Sequence, residues 1–426
     1  MTNQAILAIG IFLITYAFIV TEKIHRTIIA MAGGILMIIL GIVKQETALQ
    51  HVDFNTLGLL TGMMIIVAIT AETGLFHYLA IWAAKKVKGD PLKILVVLGI
   101  LTAVGSAFLD NVTTVLLMVP VTFNITKELQ VKPIPYLVTE IIASNIGGTS
   151  TLIGDPPNIM IGSAVKQLTF MQFINHLTAI SFFILLVNIL LLAFIFRKEL
   201  RTSNELRNQL MSLDERKEIT DKKLLVKSLI ALSFTILGFF LHQVIQIESA
   251  TVALAGAFLL LIMTGEKYLE KSFSKVEWGT IFFFIGLFVL VSGLLETGVI
   301  SLLAKLSMNY TKGNITSTSI LILWISAVAS AFIDNIPFVA TMIPMIKEMG
   351  SMGIQHLEPI WWSLSLGACI GGNGTLIGAS ANVIVAGLAA QEGTPISFKK
   401  FLFISFPLMV VSILLCTGYI YFRYLI

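Results

Sequence analysis

The stretch "SAFLDNVTTVLLMVP" at residues 106–120 places an aspartate and an asparagine inside an otherwise apolar segment. A closely similar stretch, "SAFIDNIPFVATMIP", occurs at residues 330–344. Over residues 104–120, nine of seventeen positions are identical to the residues that lie 224 positions later. The chain therefore carries a carboxylate twice, as Asp110 and as Asp334, in surroundings where an unpaired charge is costly.

The composition indicates an integral membrane protein. Of the 426 residues, 56% are hydrophobic and only 12% are charged, which is far from the usage of soluble globular proteins. Apolar runs of about 16 to 22 residues recur along the chain, and each can cross the bilayer core as a helix. The two cysteines, Cys369 and Cys416, predict neither a disulfide framework nor a metal site. Basic residues do not alternate with aromatic ones, so no nucleic-acid partner is expected.

A second polar motif obeys the same shift of 224 residues. It pairs "GGTSTLIGDPPN" at 147–158 with "GGNGTLIGASAN" at 371–382. Because both motifs keep one register, we interpret residues 1–200 and 223–426 as two copies of one repeat, joined by a charged and solvated linker at 201–222.

Each copy is expected to contain five spans and one helical hairpin with the aspartate at its apex. The expected spans are 5–20, 27–43, 54–71, 133–166 and 177–197 in the first copy, and 223–244, 250–265, 277–295, 357–390 and 401–422 in the second. The hairpins are expected at 92–128 and 315–349. The spans at 133–166 and 357–390 contain the glycine-rich motifs and should be interrupted there.

An odd number of spans per copy predicts that the second copy enters the membrane from the opposite face. The fold class that follows is an all-α polytopic membrane protein with two inverted repeats, about ten transmembrane helices and two re-entrant hairpins. With both termini outside, 22 of the 28 lysines and arginines fall on the cytoplasmic side, nine of them between 197 and 227. This asymmetry favours a cytoplasmic linker.

Broken helices in matched positions of inverted repeats are typical of binding sites in secondary transporters. No lysine or arginine of the same span is placed to pair with Asp110 or Asp334, which favours a metal ion or a proton as the partner of each carboxylate. Ser106 and Ser330 precede these aspartates by one helical turn, so hydroxyl, carboxylate and backbone oxygens could form a cation site. The alternative is that such polar groups only hold helices together, and for each serine alone the two interpretations are equally good.

Two further carboxylates break the symmetry of the repeat. Asp155 and Glu140 lie in the interrupted fourth span, and the residues 224 positions later are Ala379 and Leu364. Asp155 is a candidate for titration or substrate contact, with capping of the break as the alternative, and Glu140 is a possible titrating group. The polar residues of the two breaks are candidate substrate ligands: Thr149, Thr151, Asp155, Asn158, Asn373, Thr375 and Asn382.

These doubled motifs resemble the Ion Transporter superfamily, which includes citrate transporter-like proteins, and within it the branch of the P protein, the NhaD-type sodium/proton antiporters and the ArsB arsenite pumps. The resemblance covers essentially the whole chain. It implies a scaffold domain and a mobile transport domain that work as an elevator, usually in a homodimer. It also implies two cation sites, one formed by Ser106, Asp110, Asn111 and Gly154, the other by Ser330, Asp334, Asn335 and Gly378.

The apices depart from those of the dicarboxylate transporters of the superfamily, where Ser-Asn-Thr occupies this position. An aspartate cancels the charge of a bound sodium ion, which disfavours a dicarboxylate substrate. We therefore expect a secondary active transporter that exchanges a monovalent cation, sodium, for protons at Asp110 and Asp334, without an organic cofactor, in a bacterial plasma membrane. Efflux of arsenite or another neutral solute, and ion-coupled transport of an organic anion or amino acid, are the alternatives.

Two rival classes are weighed against a transporter. An intramembrane aspartyl protease also needs two membrane aspartates, but unlike helices would surround them, whereas here both lie in copies of one motif, so no enzymatic activity is expected. A passive channel has the same sequence features as a coupled exchanger. Electrical recording beside flux measurements separates these two.

Overall fold

A computed structural model of the chain describes residues 2–21 and 23–426, and in these residues all regular secondary structure is helical. In the first copy the helices are α1 (Asn3–Thr21), α2 (Arg26–Ile39), α3 (Gln45–Gln50), α4 (Phe54–Ala71), α5 (Leu75–Lys86), α6 (Pro91–Phe108), α7 (Asn111–Glu128), α8 (Ile134–Thr149), α9 (Pro156–Ala164), α10 (Phe170–Phe173) and α11 (Ala179–Phe196). A π-helical turn, Ile174–Thr178, joins the last two. The linker contains α12 (Asn204–Ser212) and a 3₁₀ turn, Glu215–Glu218.

The second copy repeats this order. Its helices are α13 (Lys222–Leu241), α14 (Ser249–Thr264), α15 (Leu269–Lys275), α16 (Trp278–Glu296), α17 (Val299–Thr311), α18 (Ile315–Phe332), α19 (Asn335–Ser351), α20 (Glu358–Gly371), α21 (Ser380–Gln391) and α22 (Phe398–Ile420), followed by a π-helical turn, Tyr421–Leu425. A shift of 224 residues superimposes α6 on α18 at both ends, and most other helices agree with their counterparts to within a few residues.

Eight helices of the described residues are long and apolar enough to cross a membrane. They are Asn3–Thr21, Phe54–Ala71, Pro91–Phe108, Phe170–Phe196, Lys222–Leu241, Trp278–Glu296, Ile315–Phe332 and Phe398–Leu425. Two of them, α6 and α18, are the first arms of the hairpins, and each arm of 18 residues is about 27 Å long. The predicted all-helical fold with doubled hairpins is confirmed, while α2 and α14 are shorter than a full span.

Helices of the two copies interlock through small residues. α2 packs against α16, and α4 packs against α14. Since α14 is the repeat equivalent of α2 and α16 is that of α4, the two contacts are equivalent pairs that join the copies. A Cβ atom on Gly286 would lie 2.6 Å from the backbone of Ala30, and one on Gly62 would lie 2.6 Å from the backbone of Ala253. Glycine at these two equivalent positions therefore allows the close helix crossings that membrane proteins favour.

Both interrupted spans occur where the glycine-rich motifs predict them. In the first copy the chain leaves the helix after Thr149 and resumes at Pro156, whose missing N–H costs nothing in the first turn of α9. In the second copy α20 ends at Gly371, and α21 begins at Ser380. Each break lies beside the apex of the hairpin in its own copy, which positions the candidate site.

Four short helices and the structure of the linker escaped the sequence prediction. α3, α5, α15 and α17 have only 6 to 13 residues, too few to give a membrane-spanning signal. The linker is not simply solvated, because Lys85 of α5 donates to the carbonyl of Leu213 at 2.6 Å and pairs with Glu215 at 2.5 Å. Arg207 also pairs with Asp90 at 3.2 Å. The charges of the linker thus dock it onto the first copy.

Candidate functional site

Each hairpin turns at an aspartate that caps its second arm. The carboxylate of Asp110 accepts the backbone N–H of Thr113 at 2.8 Å and also the hydroxyl of the same residue. The carboxylate of Asp334 accepts the backbone N–H of Ile336 at 3.0 Å. N-cap contacts of this kind satisfy amide donors that a helix start leaves open. Both aspartates therefore have a structural task beside any role in binding.

The hydroxyl groups near the apices fasten each hairpin to the interrupted helix of its own copy. Ser106 donates to the carbonyl of Ser144 in α8 at 2.6 Å, and Ser330 makes the equivalent contact with α20 at 2.6 Å. Thr151 and Thr375 donate in return to backbone carbonyls of α6 and α18, at 2.5 Å each. These contacts favour the packing interpretation of the serines, and their participation in a cation site stays a prediction.

Gly154 and Gly378 permit a close approach of backbone to backbone. A Cβ on Gly154 would lie 2.5 Å from the carbonyl oxygen of Ser106, and a Cβ on Gly378 would lie 2.8 Å from the carbonyl oxygen of Ser330. No larger residue fits at these positions without displacing the chain. The two glycines hold the breaks against the hairpins.

Asp155 lies between the two apices. Its side chain is fully buried, and its carboxylate accepts an N–H of Asn111 at 3.3 Å and an N–H of Asn335 at 3.4 Å. Asp155 occupies the N-cap position of α9, but its side chain makes no capping hydrogen bond there. Capping is therefore not its role. A single carboxylate instead connects the asparagines of both hairpins.

The other candidate ligands of the breaks are also buried, and several brace the backbone from inside. Asn158 donates to the carbonyls of Thr149 and Thr151 at 3.1 and 2.9 Å. Asn382 makes the equivalent contact with the carbonyl of Thr375 at 2.8 Å. The buried candidates are Thr149, Thr151, Asn158, Asn373, Thr375 and Asn382. Their backbone contacts satisfy carbonyl groups that the interrupted helices would otherwise leave open.

Asn145 joins the two breaks and was missed by the sequence analysis. It donates to the amide oxygens of Asn373 and Asn382, at 2.9 Å each, and accepts an N–H of Asn111 at 3.0 Å. The residue 224 positions later is Cys369, so the repeat gave no signal for it. Its place two residues before the glycine cluster was the only local clue.

Asp334 has a basic partner, contrary to expectation. Nη1 of Arg26 lies 2.5 Å from Oδ2 of Asp334 and donates also to the hydroxyl of Ser380 at 2.5 Å. The expectation that Asp334 lacks a basic partner was wrong in this arrangement, because it considered only residues of the same span. Arg26 is 308 residues away in the chain and belongs to α2.

The first apex has no such partner among the described residues. Asp110 takes part in no ion pair there, and the residue 224 positions after Arg26 is Ala250. Asp110, Asp155, Glu277 and Arg26 line one small central cavity of about 20 Å³, room for a single water or bare ion. Asp334 pairs with Arg26 beside this cavity, so four carboxyl groups and one guanidinium belong to the central region.

A larger cavity of about 520 Å³ adjoins this centre. It shares Arg26, Glu277 and Ser380 with the small cavity and continues along apolar side chains of α1, α18 and α21. Its walls are therefore charged at the inner end and apolar farther out. This cavity gives the central carboxylates a route towards the surface.

Glu140 is buried deeper in the first copy. One carboxyl oxygen accepts the hydroxyl of Thr122, and the other, Oε2, has no hydrogen-bond partner in the described residues. Leu364 fills the equivalent place in the second copy and is also fully buried. Because the fold accepts an apolar side chain at that place, the carboxyl of Glu140 is not required for packing.

Comparison with known proteins places the chain in a family. The profile of the family described as citrate transporter (CitMHS) matches residues 16–367, well over half of the chain. The chain belongs to the citrate transporter family. It is 40% identical over 429 residues to a protein of Mycobacterium bovis named as an uncharacterized transporter, with 99% of each chain covered. It is also 40% identical to a 46 kDa membrane protein of Mycobacterium leprae, covering 99% of this chain and 100% of that one.

The expected resemblance to the P protein is confirmed. The human P protein is 35% identical over 493 residues, which include 96% of this chain and 59% of that protein. Among solved structures, the YdaH transporter of Alcanivorax borkumensis matches with a TM-score of 0.61 over 98% of both chains, at 12% identity, which supports the fold alone. This citrate transporter family member is therefore an integral membrane transporter of the Ion Transporter superfamily, not an enzyme, and it has bacterial homologues.

Proposed function

We propose that this chain is a secondary active transporter that exchanges a monovalent cation, sodium, for protons. The observation that carries the proposal is the carboxylate of Asp155, held between the asparagines of both hairpin apices and beside Asp110. The surrounding group contains four carboxyls and one guanidinium, so an excess of negative charge must be met by bound cations or by protons.

The oxygen atoms around Asp155 suit a hard cation. In the side-chain hydrogen bonds of the described residues, Asn111 and Asn335 act only as donors, which leaves both amide oxygens available. Carboxylate and amide oxygens are the ligands that hard cations prefer. Protonation of the same carboxylates would expel the cation, and this competition couples the two gradients.

Flux through proteoliposomes tests the exchange. Purified protein is reconstituted with a pH-sensitive dye inside, the interior is made acidic so that the proton gradient points outward, and sodium is added outside. We expect sodium to dissipate the gradient and potassium chloride at equal concentration not to do so. Because one proton competes for the site, the apparent KM for sodium should rise up to tenfold for each unit that the pH falls. Exchange that is independent of sodium would refute the proposal, and a current without coupled proton movement would identify a channel.

An organic anion is the second candidate, favoured by Arg26. Its guanidinium lines the cavity of about 520 Å³, more room than a bare ion requires, and guanidinium groups bind carboxylates in two-pronged fashion. The description of the family also names citrate as a transported anion. Uptake of labelled citrate, an amino acid and arsenite into the same liposomes, driven by sodium or proton gradients, separates this candidate and neutral-solute efflux from cation exchange.

We also propose the orientation with both termini outside and the linker in the cytoplasm. The distribution of lysine and arginine supports it, with 22 of 28 on one side. Both native cysteines are buried, so labelling with a membrane-impermeant maleimide reports introduced cysteines only. Ser212→Cys in the linker should react only after the membrane is permeabilised. Labelling of this cysteine in intact cells would show the opposite orientation.

Elevator motion in a homodimer is part of the same proposal. Its support is the division of contacts, since α1, α2, α4, α13, α14 and α16 pack mainly among themselves, while the two hairpins pack mainly on the interrupted helices of both copies. Mass measurement in detergent should give twice the mass of one chain. Cross-links between the two groups of helices should block transport, and cross-links within one group should not.

A further inference from the structure

The charge that neutralises Asp334 comes from the protein. Arg26 is the first residue of α2, and its Nη1 lies 2.5 Å from Oδ2 of Asp334. The hydroxyl of Ser380 completes a triangle, because it accepts from Arg26 at 2.5 Å and donates to Asp334 at 2.9 Å. The guanidinium also lies over the ring of Phe283, with Cζ 4.9 Å from the ring centre. The group is thus held from several sides.

The first copy has the aspartate but lacks both partners that complete this triangle. The residues equivalent to Arg26 and Ser380 are Ala250 and Pro156, neither of which offers a side-chain donor. The carboxylate of Asp110 receives the N–H and hydroxyl of Thr113 instead, both neutral donors. The two apices share Asp and Asn in sequence, but they differ in what balances the charge of the aspartate.

We propose that Arg26 is the resident cation of the Asp334 apex, so that only the side of Asp110 and Asp155 binds an exchangeable cation. An arginine side chain stays charged at any physiological pH, and in an ion pair at 2.5 Å it takes the place of a bound sodium ion. A second positive charge at the same oxygen atoms would be repelled. Two sites that the repeat predicts are therefore reduced to one exchangeable site.

This inference rests on the proposed cation exchange and makes it more specific. An antiporter with one exchangeable cation site per chain has a fixed limit on the number of cations moved in each cycle. Arg26 sets that limit because its guanidinium already holds the carboxylate of Asp334. Ala250 in the equivalent place leaves Asp110 available.

The number of bound cations tests the proposal. Radioactive sodium bound at saturation by purified protein is counted per chain, for the wild type, R26Q and R26K. We expect one sodium ion for the wild type and for R26K, which keeps the charge, and two for R26Q. Thermal unfolding and gel filtration confirm that each variant is folded.

Double variants identify the site that is gained. R26Q combined with D334N should return to one bound ion, while R26Q combined with D110N should keep the newly formed site. Two sodium ions bound to the wild type, or one ion bound to folded R26Q, would overturn the inference. If R26Q does not fold, the number of sodium ions bound to the wild type decides.

The same measurements separate failure of this inference from failure of the proposed cation exchange. If neither the wild type nor R26Q binds sodium, and wild-type liposomes show no sodium-dependent proton movement, both the antiport proposal and this inference are overturned. If wild-type liposomes exchange sodium for protons while R26Q binds the same number of ions as the wild type, only the inference about Arg26 is overturned.

Discussion

Replacing Asp155 by asparagine should separate the transport role of this residue from any structural one. The amide has nearly the same shape as the carboxylate and can still accept an N–H from Asn111 or Asn335 through its oxygen. Removing a buried charge without a basic partner does not weaken packing, so the melting temperature of D155N in detergent should stay within about 3 °C of the wild type or rise.

The expected loss of cation affinity follows from the removed charge. At a separation of about 4 Å and an effective dielectric constant of about 20, a carboxylate attracts a monovalent cation by about 4 kcal/mol, or about a thousandfold in affinity. Other oxygen atoms at the site compensate for part of this loss, so we expect sodium affinity and exchange rate to fall by about a hundredfold or more.

Isotope binding and dye-monitored flux in proteoliposomes measure both quantities. Asp90→Asn is the matched control, because Asp90 caps α6 and pairs with Arg207 at 3.2 Å away from the central cavity. This control should exchange sodium within about twofold of the wild type, because this half-buried pair lies outside the central cavity. Folded D155N that binds sodium within threefold of the wild type would refute the reasoning about the central carboxylate.

Three further predictions concern backbone packing, the proton path and the linker. Gly154→Ala should lower the free energy of unfolding by more than about 2 kcal/mol, because the added Cβ would lie 2.5 Å from a backbone oxygen. Gly387→Ala is the control and should be neutral or stabilising, because open space surrounds Gly387. Thermal unfolding measures both variants. Glu140→Gln should retain sodium binding and slow proton-coupled exchange at least about tenfold in dye-loaded liposomes. Lys85→Ala removes the pair with Glu215 and should speed trypsin cleavage of the linker.

Each of these has a contrary outcome. Equal stability of the two alanine variants would mean that the break and the hairpin are not in tight contact. Unchanged exchange in the Glu140 variant would assign that carboxyl a structural role only. Identical cleavage rates for Lys85→Ala and the wild type would show that the linker does not depend on this ion pair for docking.

The helices and their duplication are predictable from the sequence because their signals are local. A hairpin apex of two polar residues between apolar arms, and a glycine-rich interruption, are contained in stretches of about 15 residues. The predicted hairpin at 92–128 corresponds to α6 and α7, whose bounds are Pro91 and Glu128. Short helices such as α5, with 12 residues, carry too little periodicity to be separated from loops.

The candidate site was predictable in part. Its conspicuous members are polar residues in apolar surroundings, and Asp110, Asn111, Asp155 and Asn335 line one cavity. Asn145 gave a weaker signal, because a single amide in a membrane helix is often only a packing contact. The sequence predicted that the hydroxyl groups of the motifs belong to the site. It did not predict that they join each hairpin to the interrupted helix of its own copy.

Membrane location, helical class and the doubled architecture follow from hydropathy and repetition, which are properties of residues taken in order along the chain. The counterion of Asp334 and the position of Asp155 between two apices follow from folding, since they depend on side chains up to 308 residues apart. In a duplicated chain the two copies share their backbone geometry. A single difference between them can still change the local charge, as where the first copy has Arg26 and the second has Ala250. Electrostatic interaction depends on distance in space, so the two similar apices acquire different chemistry only when the chain is folded.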